Sequence, residues 1–377
     1  MRKSMMLFLM ILTMIGVVST SAFAEESTEV GEAVEESGVT EAGEQIETGD
    51  MTESGDRIVE LAYCSLTVPE EIAKICNIET DEDSVIFNEK IANEKLGWGR
   101  AGELLLYDSM RAYRSVPSFK WCGLLTLPDG SKQYMLLLYP TDMEHDVRDL
   151  QSSENYQKIQ EALGTIIVDS IEATNGATYT PPEQIDSDSI YADILEKLTA
   201  DLTEGKDMDG FEEDGFSYLY AFFCDPNREQ DPDRVIGYAF MDLNHDGYDE
   251  LLLGCTGDTD VYDLFTQVDG EVIHIFSGGE RDVYTVLGHD GERTYYIRNI
   301  ASGGASNTQI TYYILAACNE ELFTQTTLVY DAYTDPEHPY NVVNVFGTEN
   351  NPLSEEEWNE RQQRHGEPLE IPYTPLA

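Results

Sequence analysis

The stretch 242–250, with the sequence DLNHDGYDE, constrains the fold more than any other part of the chain. It places oxygen-bearing side chains at its positions 1, 3, 5 and 9 and a glycine at position 6. A hard cation such as Ca²⁺ needs this pattern, because several oxygens must converge where the backbone turns sharply. We therefore predict a Ca²⁺ site that is structural and not catalytic. The predicted ligands are the side chains of Asp242, Asn244, Asp246 and Glu250 and the backbone carbonyl of Tyr248.

The residues around this EF-hand-like loop predict strands and not helices. An EF-hand carries a bidentate glutamate at position 12, where this chain has Leu253. The flanking runs 235–241 and 251–253 are short and apolar, as in buried strands. We therefore expect a strand–loop–strand hairpin. A plain acidic surface turn is the alternative, since Asp, Asn and Gly dominate turns.

The run 240–252 resembles the calcium loop of FG-GAP/VCBS-type repeats, which form the blades of integrin-like β-propellers. Their pattern, D-x-[DN]-x-D-G-x-x-[DE]-[LI], implies the same five ligands here. A second stretch, 207–210, is too incomplete to count as another copy. Because propellers need several repeats to bury a core, we do not expect a full propeller. The chain as a whole resembles two-domain exported bacterial proteins.

The N-terminus has the pattern of a secretory signal peptide. Arg2 and Lys3 precede an apolar run over 5–18, and the small-residue pattern 22–24 follows. The run is shorter than the roughly 20 residues that span a bilayer. The pattern predicts cleavage near Ala24 and a secreted, extracellular protein without membrane insertion.

Acidic residues dominate the charge. The chain has 22 Lys and Arg against 73 Asp and Glu, a net charge of −51. Such a chain repels nucleic acid and anionic membranes, so we expect neither as a partner. Residues 25–56 carry many acids, no Lys or Arg and almost no bulky apolar side chain, and are predicted to be a disordered acidic linker.

Two domains are predicted after this linker. Residues 57–174 should form an α+β domain, an antiparallel sheet with a closing helix over 153–171. A linker over 175–188 leads to a mainly β, calcium-binding domain over 189–377, an antiparallel meander that contains the calcium-loop hairpin. In the first domain we also predict a strand at 58–68 and a turn at 129–130. In the second we predict a helix over 189–203, a strand at 217–223, turns at 269–270 and 290–291, and a helix starting at Ser354.

Sequence motifs give little support to an enzyme. There is no H-E-x-x-H and no G-x-S-x-G motif. The G-x-G-x-x-G match at 97–102 lacks the strand before and helix after it that a dinucleotide site needs. We therefore expect a non-enzymatic protein with a binding or adhesion role towards an extracellular ligand, glycan or protein. The alternative is a secreted, glycan-directed hydrolase that uses a carboxylate pair in the β-rich domain.

Overall fold

The apolar strands of the N-terminal region pair into two antiparallel sheets. The computed structural model describes residues 55–114, 116, 119–227, 231, 233–288, 295–343 and 350–376, which all belong to one compact unit. The predicted signal peptide, the acidic segment up to residue 54 and the turn at 290–291 lie outside these residues. The elements of the region are β1 (Arg57–Glu60), β2 (Cys64–Val68), α1 (Glu70–Ala73), β3 (Cys76–Asp81), β4 (Ser84–Glu89), α2 (Lys90–Leu96), β5 (Arg100–Tyr107), β6 (Phe119–Thr126), β7 (Lys132–Leu138), α3 (Leu150–Ala162), β8 (Glu172–Ala173) and β9 (Thr178–Thr180).

Helix α3 closes the N-terminal region as its periodicity predicts. The helix continues through a π-helical turn at Leu163–Ile167, and Tyr156, Ile159 and Leu163 are buried. They pack with Val85 and other residues of the sheet ordered β3-β4-β5-β7-β6-β9, because residues at helical spacing share one face. The sheet-and-helix architecture predicted for this region is confirmed.

Two details of this region differ from the prediction. The predicted strand 58–68 is a hairpin, in which Val59 lies opposite Leu66. Strand β9 lies inside the predicted linker and pairs with β6, placing Tyr179 opposite Leu125. The Tyr179 hydroxyl donates a hydrogen bond to the carbonyl of Cys122, and this contact fixes the segment on the sheet edge.

The C-terminal region begins with helices. The predicted helix over 189–203 is confirmed, extended by its cap at Asp186. The predicted strand 217–223 is wrong, because these residues are helical. Phe216 and Tyr220, four residues apart, pack together, and the Ser217 hydroxyl caps the segment by accepting the Leu219 N–H. The helices are α4 (Ser187–Glu204), α5 (Met208–Glu213) and α6 (Ala221–Cys224).

A large antiparallel meander follows, as predicted. The described residues place twelve strands in one sheet, with α4, α5 and α6 packed over its first strands. The Ser354 capping box is confirmed and opens a helix, α7. The elements are β10 (Ile236–Met241), β11 (Glu250–Cys255), β12 (Asp260–Val268), β13 (Glu271–Ser277), β14 (Asp282–Gly288), β15 (Tyr296–Gly304), β16 (Asn307–Leu315), β17 (Leu322–Asp331), β18 (Tyr340–Val343), β19 (Asn350–Pro352), α7 (Glu355–Gln363), β20 (Glu367–Pro368) and β21 (Thr374–Pro375).

The two regions share an aromatic core, which we call the junction core. Trp121 of β6 and Tyr134 of β7 pack with Tyr248, Val268 and Cys318 of the meander. Ion pairs lie at the edge of this core, because Arg111 of the N-terminal region contacts Asp269 and Glu320 of the C-terminal region. Within the described part of the chain, no helix has the length and apolarity needed to cross a membrane.

Candidate functional site

The predicted cation loop joins two strands of the meander. Strands β10 and β11 pair antiparallel, with Met241 opposite Glu250, so the loop 242–249 closes a hairpin. The strand–loop–strand prediction is confirmed, and helices of an EF-hand are not present on either side. The loop turns at His245 and Gly247, whose φ angles are 59° and 87°. His245 is exposed.

The predicted ligand side chains bond to one another and to the loop backbone. Glu250 accepts the Leu243 N–H at 2.7 Å and a hydrogen bond from the Asn244 amide at 3.0 Å. Asn244 in turn accepts the Asp246 N–H at 2.9 Å, and Asp246 accepts the Tyr248 N–H at 3.1 Å. These bonds hold the side chains of the predicted ligands on the inner side of the turn.

Ionisation of three carboxyl groups in this loop is energetically unfavourable. Burial raises the pKa of Asp246 from 3.8 to about 7, and the charge of Asp242 acts in the same direction. Burial also raises the pKa of Glu250 well above its ordinary value, with further increases from Asp246 and Asp242. The pKa of Asp242 is raised by burial as well. Removing a carboxylate from water without a compensating charge disfavours its ionised form.

Within the described ranges no lysine or arginine forms an ion pair with Asp242, Asp246 or Glu250. The nearby His245 acts on Asp242 alone, where it partly offsets the effect of burial on the pKa. One oxygen of Asp242, Oδ1, is buried and accepts no hydrogen bond. Buried polar atoms normally have a hydrogen-bond partner, so this oxygen is available to coordinate a cation. Carboxylate, amide and carbonyl oxygens are also the donor set that Ca²⁺ prefers.

The side chains are not gathered into a finished cage. Among the residues that the structure describes, no group of three or more His, Cys, Asp or Glu is arranged to hold a metal ion. Glu250 shows why, because its two oxygens accept from Leu243, Asn244 and the Thr266 hydroxyl. A cation in this loop would have to draw Asp242, Asp246 and Glu250 closer together. The chemistry of the loop therefore suits Ca²⁺ better than its geometry does.

Neighbours of the loop extend the site beyond the predicted residues. The Trp121 and Tyr248 rings lie 5.4 Å apart, and the Cys318 N–H donates to Asp246 at 2.9 Å. Ser187 at the start of α4 donates to the Asp249 carboxylate at 2.7 Å. These contacts join positions more than 60 residues apart, and no local sequence pattern pairs them. The apolar, aromatic run around Trp121 is the one sequence signal that indicates burial here.

The chain has no match among protein-family models, curated proteins or solved structures at the level of similarity that would identify a relative. The likeness to FG-GAP/VCBS-type loops therefore stays a resemblance of about a dozen residues.

Proposed function

We propose that this chain is an exported, non-enzymatic protein that Ca²⁺ stabilises at the loop 242–250 and that binds a ligand outside the cell. The observation that carries this proposal is the burial of Asp246 and Glu250 beside the half-buried Asp242 in one turn, with raised pKa values and no lysine or arginine paired to them. Leaving buried carboxylates unpaired costs several kcal/mol. A divalent cation offsets this cost directly.

The position of the loop supports a structural role for the cation. Tyr248 belongs to the junction core, where its ring lies beside Trp121, and Asp246 contacts the core through the Cys318 N–H. A cation that orders the loop would also order the contacts between the two regions. Because such a cation binds the folded state and not the unfolded chain, it would stabilise the protein by mass action.

Two sequence features support action outside the cell. The predicted signal peptide directs the chain to export, and millimolar Ca²⁺ is typical of extracellular cation modules. The net charge of −51 favours binding partners that are not themselves acidic.

A glycan-directed hydrolase is the alternative proposal. Such an enzyme needs two carboxyl groups on either side of a substrate bond, in a cleft that solvent reaches. One surface cleft of the meander carries several acids, among them Glu212, Glu280 and Asp282. In contrast, Asp246 and Glu250 are fully buried, so no substrate reaches them. Release of reducing sugar from glycan substrates, lost in Glu280→Gln, would favour this alternative.

A thermal melt of the chain from residue 25 tests the cation. We expect Ca²⁺ at 100 times its Kd to raise the midpoint over that in EDTA by about 4 °C, from a gain of about 2.7 kcal/mol. Mg²⁺ should give a smaller shift. The double variant Asp242→Asn, Asp246→Asn should lose the shift, while Asp207→Asn, Asp209→Asn in the incomplete copy should keep it. An equal midpoint in EDTA and Ca²⁺ would contradict the proposal.

A further inference from the structure

A cleft of about 570 Å³ lies on the meander away from the cation loop. One wall comes from the end of α5 and the turn that follows it, and the other from the end of β13 and the turn into β14. This volume is in the range of small-molecule and side-chain binding sites. The lining residues that matter here are Glu212, Tyr218, His274, Ser277, Glu280 and Asp282.

A buried carboxylate, Asp263, organises the inner side of this cleft. Its Oδ2 accepts the Tyr220 hydroxyl at 2.7 Å and the Ser217 N–H at 3.1 Å. Its Oδ1 accepts the Ser277 hydroxyl at 2.5 Å and lies 3.0 Å from Nε2 of His274. Asp263 is therefore held by four donors, and two of them belong to side chains that line the cleft.

These bonds fix where the protons of His274 and Ser277 lie. Nε2 of His274 lies between two acceptors, Asp263 Oδ1 and the Phe276 carbonyl at 2.8 Å, so it carries the hydrogen. In the neutral imidazole, Nδ1 is then an acceptor. The single hydroxyl proton of Ser277 goes to Asp263, and its oxygen keeps lone pairs. Ser277, and His274 in its neutral form, can therefore accept a hydrogen bond from a ligand.

The same geometry argues against a serine nucleophile. In a Ser-His-Asp triad the serine donates to one imidazole nitrogen and the aspartate accepts from the other. Here Nε2 of His274 faces both Asp263 at 3.0 Å and Ser277 at 3.3 Å. The serine proton points to the aspartate, so His274 is not placed to remove it. The cluster is therefore suited to binding a ligand.

The charge of the cleft selects the ligand further. Glu212, Glu280 and Asp282 are exposed, and within the described ranges they form no ion pair with a basic side chain. The basic side chains of the lining are Arg281 and His274, and His274 contacts Asp263.

From this charge complementarity and the hydrogen-bond acceptors, we propose that the cleft binds the ammonium or guanidinium group of a lysine or arginine side chain on an extracellular polypeptide. Such a group is cationic and carries several N–H donors, which match His274, Ser277 and the surrounding carboxylates. The inference rests on the proposed binding role and specifies its ligand class. It does not depend on a cation in the loop 242–250.

Calorimetric titration of the chain from residue 25, in 1 mM Ca²⁺, tests the inference. The probes are the N-acetylated, C-amidated peptides Gly-Lys-Gly and Gly-Arg-Gly, with Gly-Gln-Gly blocked in the same way and maltotriose as neutral counterparts. We expect at least tenfold weaker binding of Gly-Gln-Gly than of the basic peptides. The variant Glu280→Gln, Asp282→Asn should weaken binding of the basic peptides at least tenfold, and Ser277→Ala severalfold. Glu213→Gln, an exposed acid beside Glu212 that does not line the cleft, should bind as the parent chain does.

Three outcomes would overturn the inference: equal binding of lysine and glutamine peptides, preferential binding of maltotriose, or unchanged binding in Glu280→Gln, Asp282→Asn. The thermal melt separates this inference from the cation proposal. If Ca²⁺ leaves the midpoint unchanged while the basic peptides bind, the cation site fails and the cleft stands. If Ca²⁺ raises the midpoint while no basic peptide binds, the cleft fails alone.

Discussion

The carboxylate of Asp246 accepts a hydrogen bond from the backbone N–H of Cys318, 72 residues further along the chain, at 2.9 Å. Cys318 lies in the connection between β16 and β17, is buried, and adopts a φ of 57°. Through this bond the turn 242–249 becomes part of the junction core and is more than the end of a hairpin. Changes in the charge or position of Asp246 should therefore affect the whole fold.

Gly247 fits the junction core only because it has no side chain. A Cβ on Gly247 would lie 2.1 Å from Cδ1 of Trp121, and φ is 87°. We expect Gly247→Ala to lower the free energy of unfolding by about 1–2 kcal/mol for the left-handed backbone and about 1–3 kcal/mol for the overlap. Urea unfolding measures the sum.

Gly130 supplies the matched control for this prediction. It has the same φ of 87°, but a Cβ there would meet nothing within 4 Å. Gly130→Ala should therefore lower the free energy of unfolding by the contribution of the left-handed backbone alone, about 1–2 kcal/mol. Adding Trp121→Phe to Gly247→Ala should recover part of the loss. Equal losses in the two alanine variants would show that Trp121 does not constrain the loop.

Trp121 should be one of the main contributors to stability. Its side chain is 6 % exposed and contacts Tyr134 and Tyr248 across the junction core. We expect Trp121→Ala to lower the free energy of unfolding by about 3–5 kcal/mol, as for other buried aromatic residues. Trp98→Ala, at a site 56 % exposed, should change it by less than about 0.5 kcal/mol in the same urea titration. Losses of similar size would contradict the role of the junction core.

Local patterns in the sequence predicted the β10–β11 hairpin that closes at 242–249 and much of the meander. Alternation and turn residues are local signals, so Asp269 and Gly270 predicted the β12–β13 turn that the structure contains. These local signals do not predict contacts between residues that lie far apart in the sequence. A bulge between Leu264 and Phe265 shifts the β12–β13 register and brings Ser277 opposite Asp263. The turn at 269–270 alone would place Asp263 opposite Phe276, so the cleft cluster was not predictable.

The strand wrongly predicted at 217–223 has a related cause. Its aromatic residues favour strands by propensity, but burial against the sheet decides the conformation. Tyr220 donates to the buried Asp263, and Ser217 donates both its N–H to Asp263 and its hydroxyl to the Gly278 carbonyl. These partners lie more than 40 residues away. Tertiary contacts therefore override the local preference here.

Arg111 should stabilise the junction more than an ordinary surface arginine. It donates to Asp269 at 2.6 Å and to Glu320 at 2.7 Å, and both acids lie in the C-terminal region. Its side chain is 37 % exposed, so solvent screens the network and we expect a loss of only about 1 kcal/mol in Arg111→Met. Arg100→Met, which removes one surface pair with Glu103, should cost less than about 0.5 kcal/mol.

Salt provides the second test of Arg111. Because the network is electrostatic and partly exposed, the difference between Arg111→Met and the parent chain should shrink in 1 M NaCl, as measured by urea unfolding. A difference that salt leaves unchanged would assign the effect to packing of the arginine side chain.

The buried acids of the loop predict how stability depends on pH when divalent cations are removed. The pKa of Asp246 is raised from 3.8 to about 7, so between these values the folded chain holds a proton that the unfolded chain has lost. In EDTA the free energy of unfolding should therefore fall, on account of this group, as pH rises from about 4 to about 7. Ca²⁺ binds the ionised carboxylate, so the stability that it adds should grow across the same interval.

Thermal melts at several pH values, with Asp246→Asn as the control, isolate the contribution of Asp246. The midpoint of the parent chain should drop relative to that of the variant as pH rises in EDTA. A constant difference between the two chains would show that Asp246 is not held protonated by burial, and would remove the main physical reason for placing a cation there.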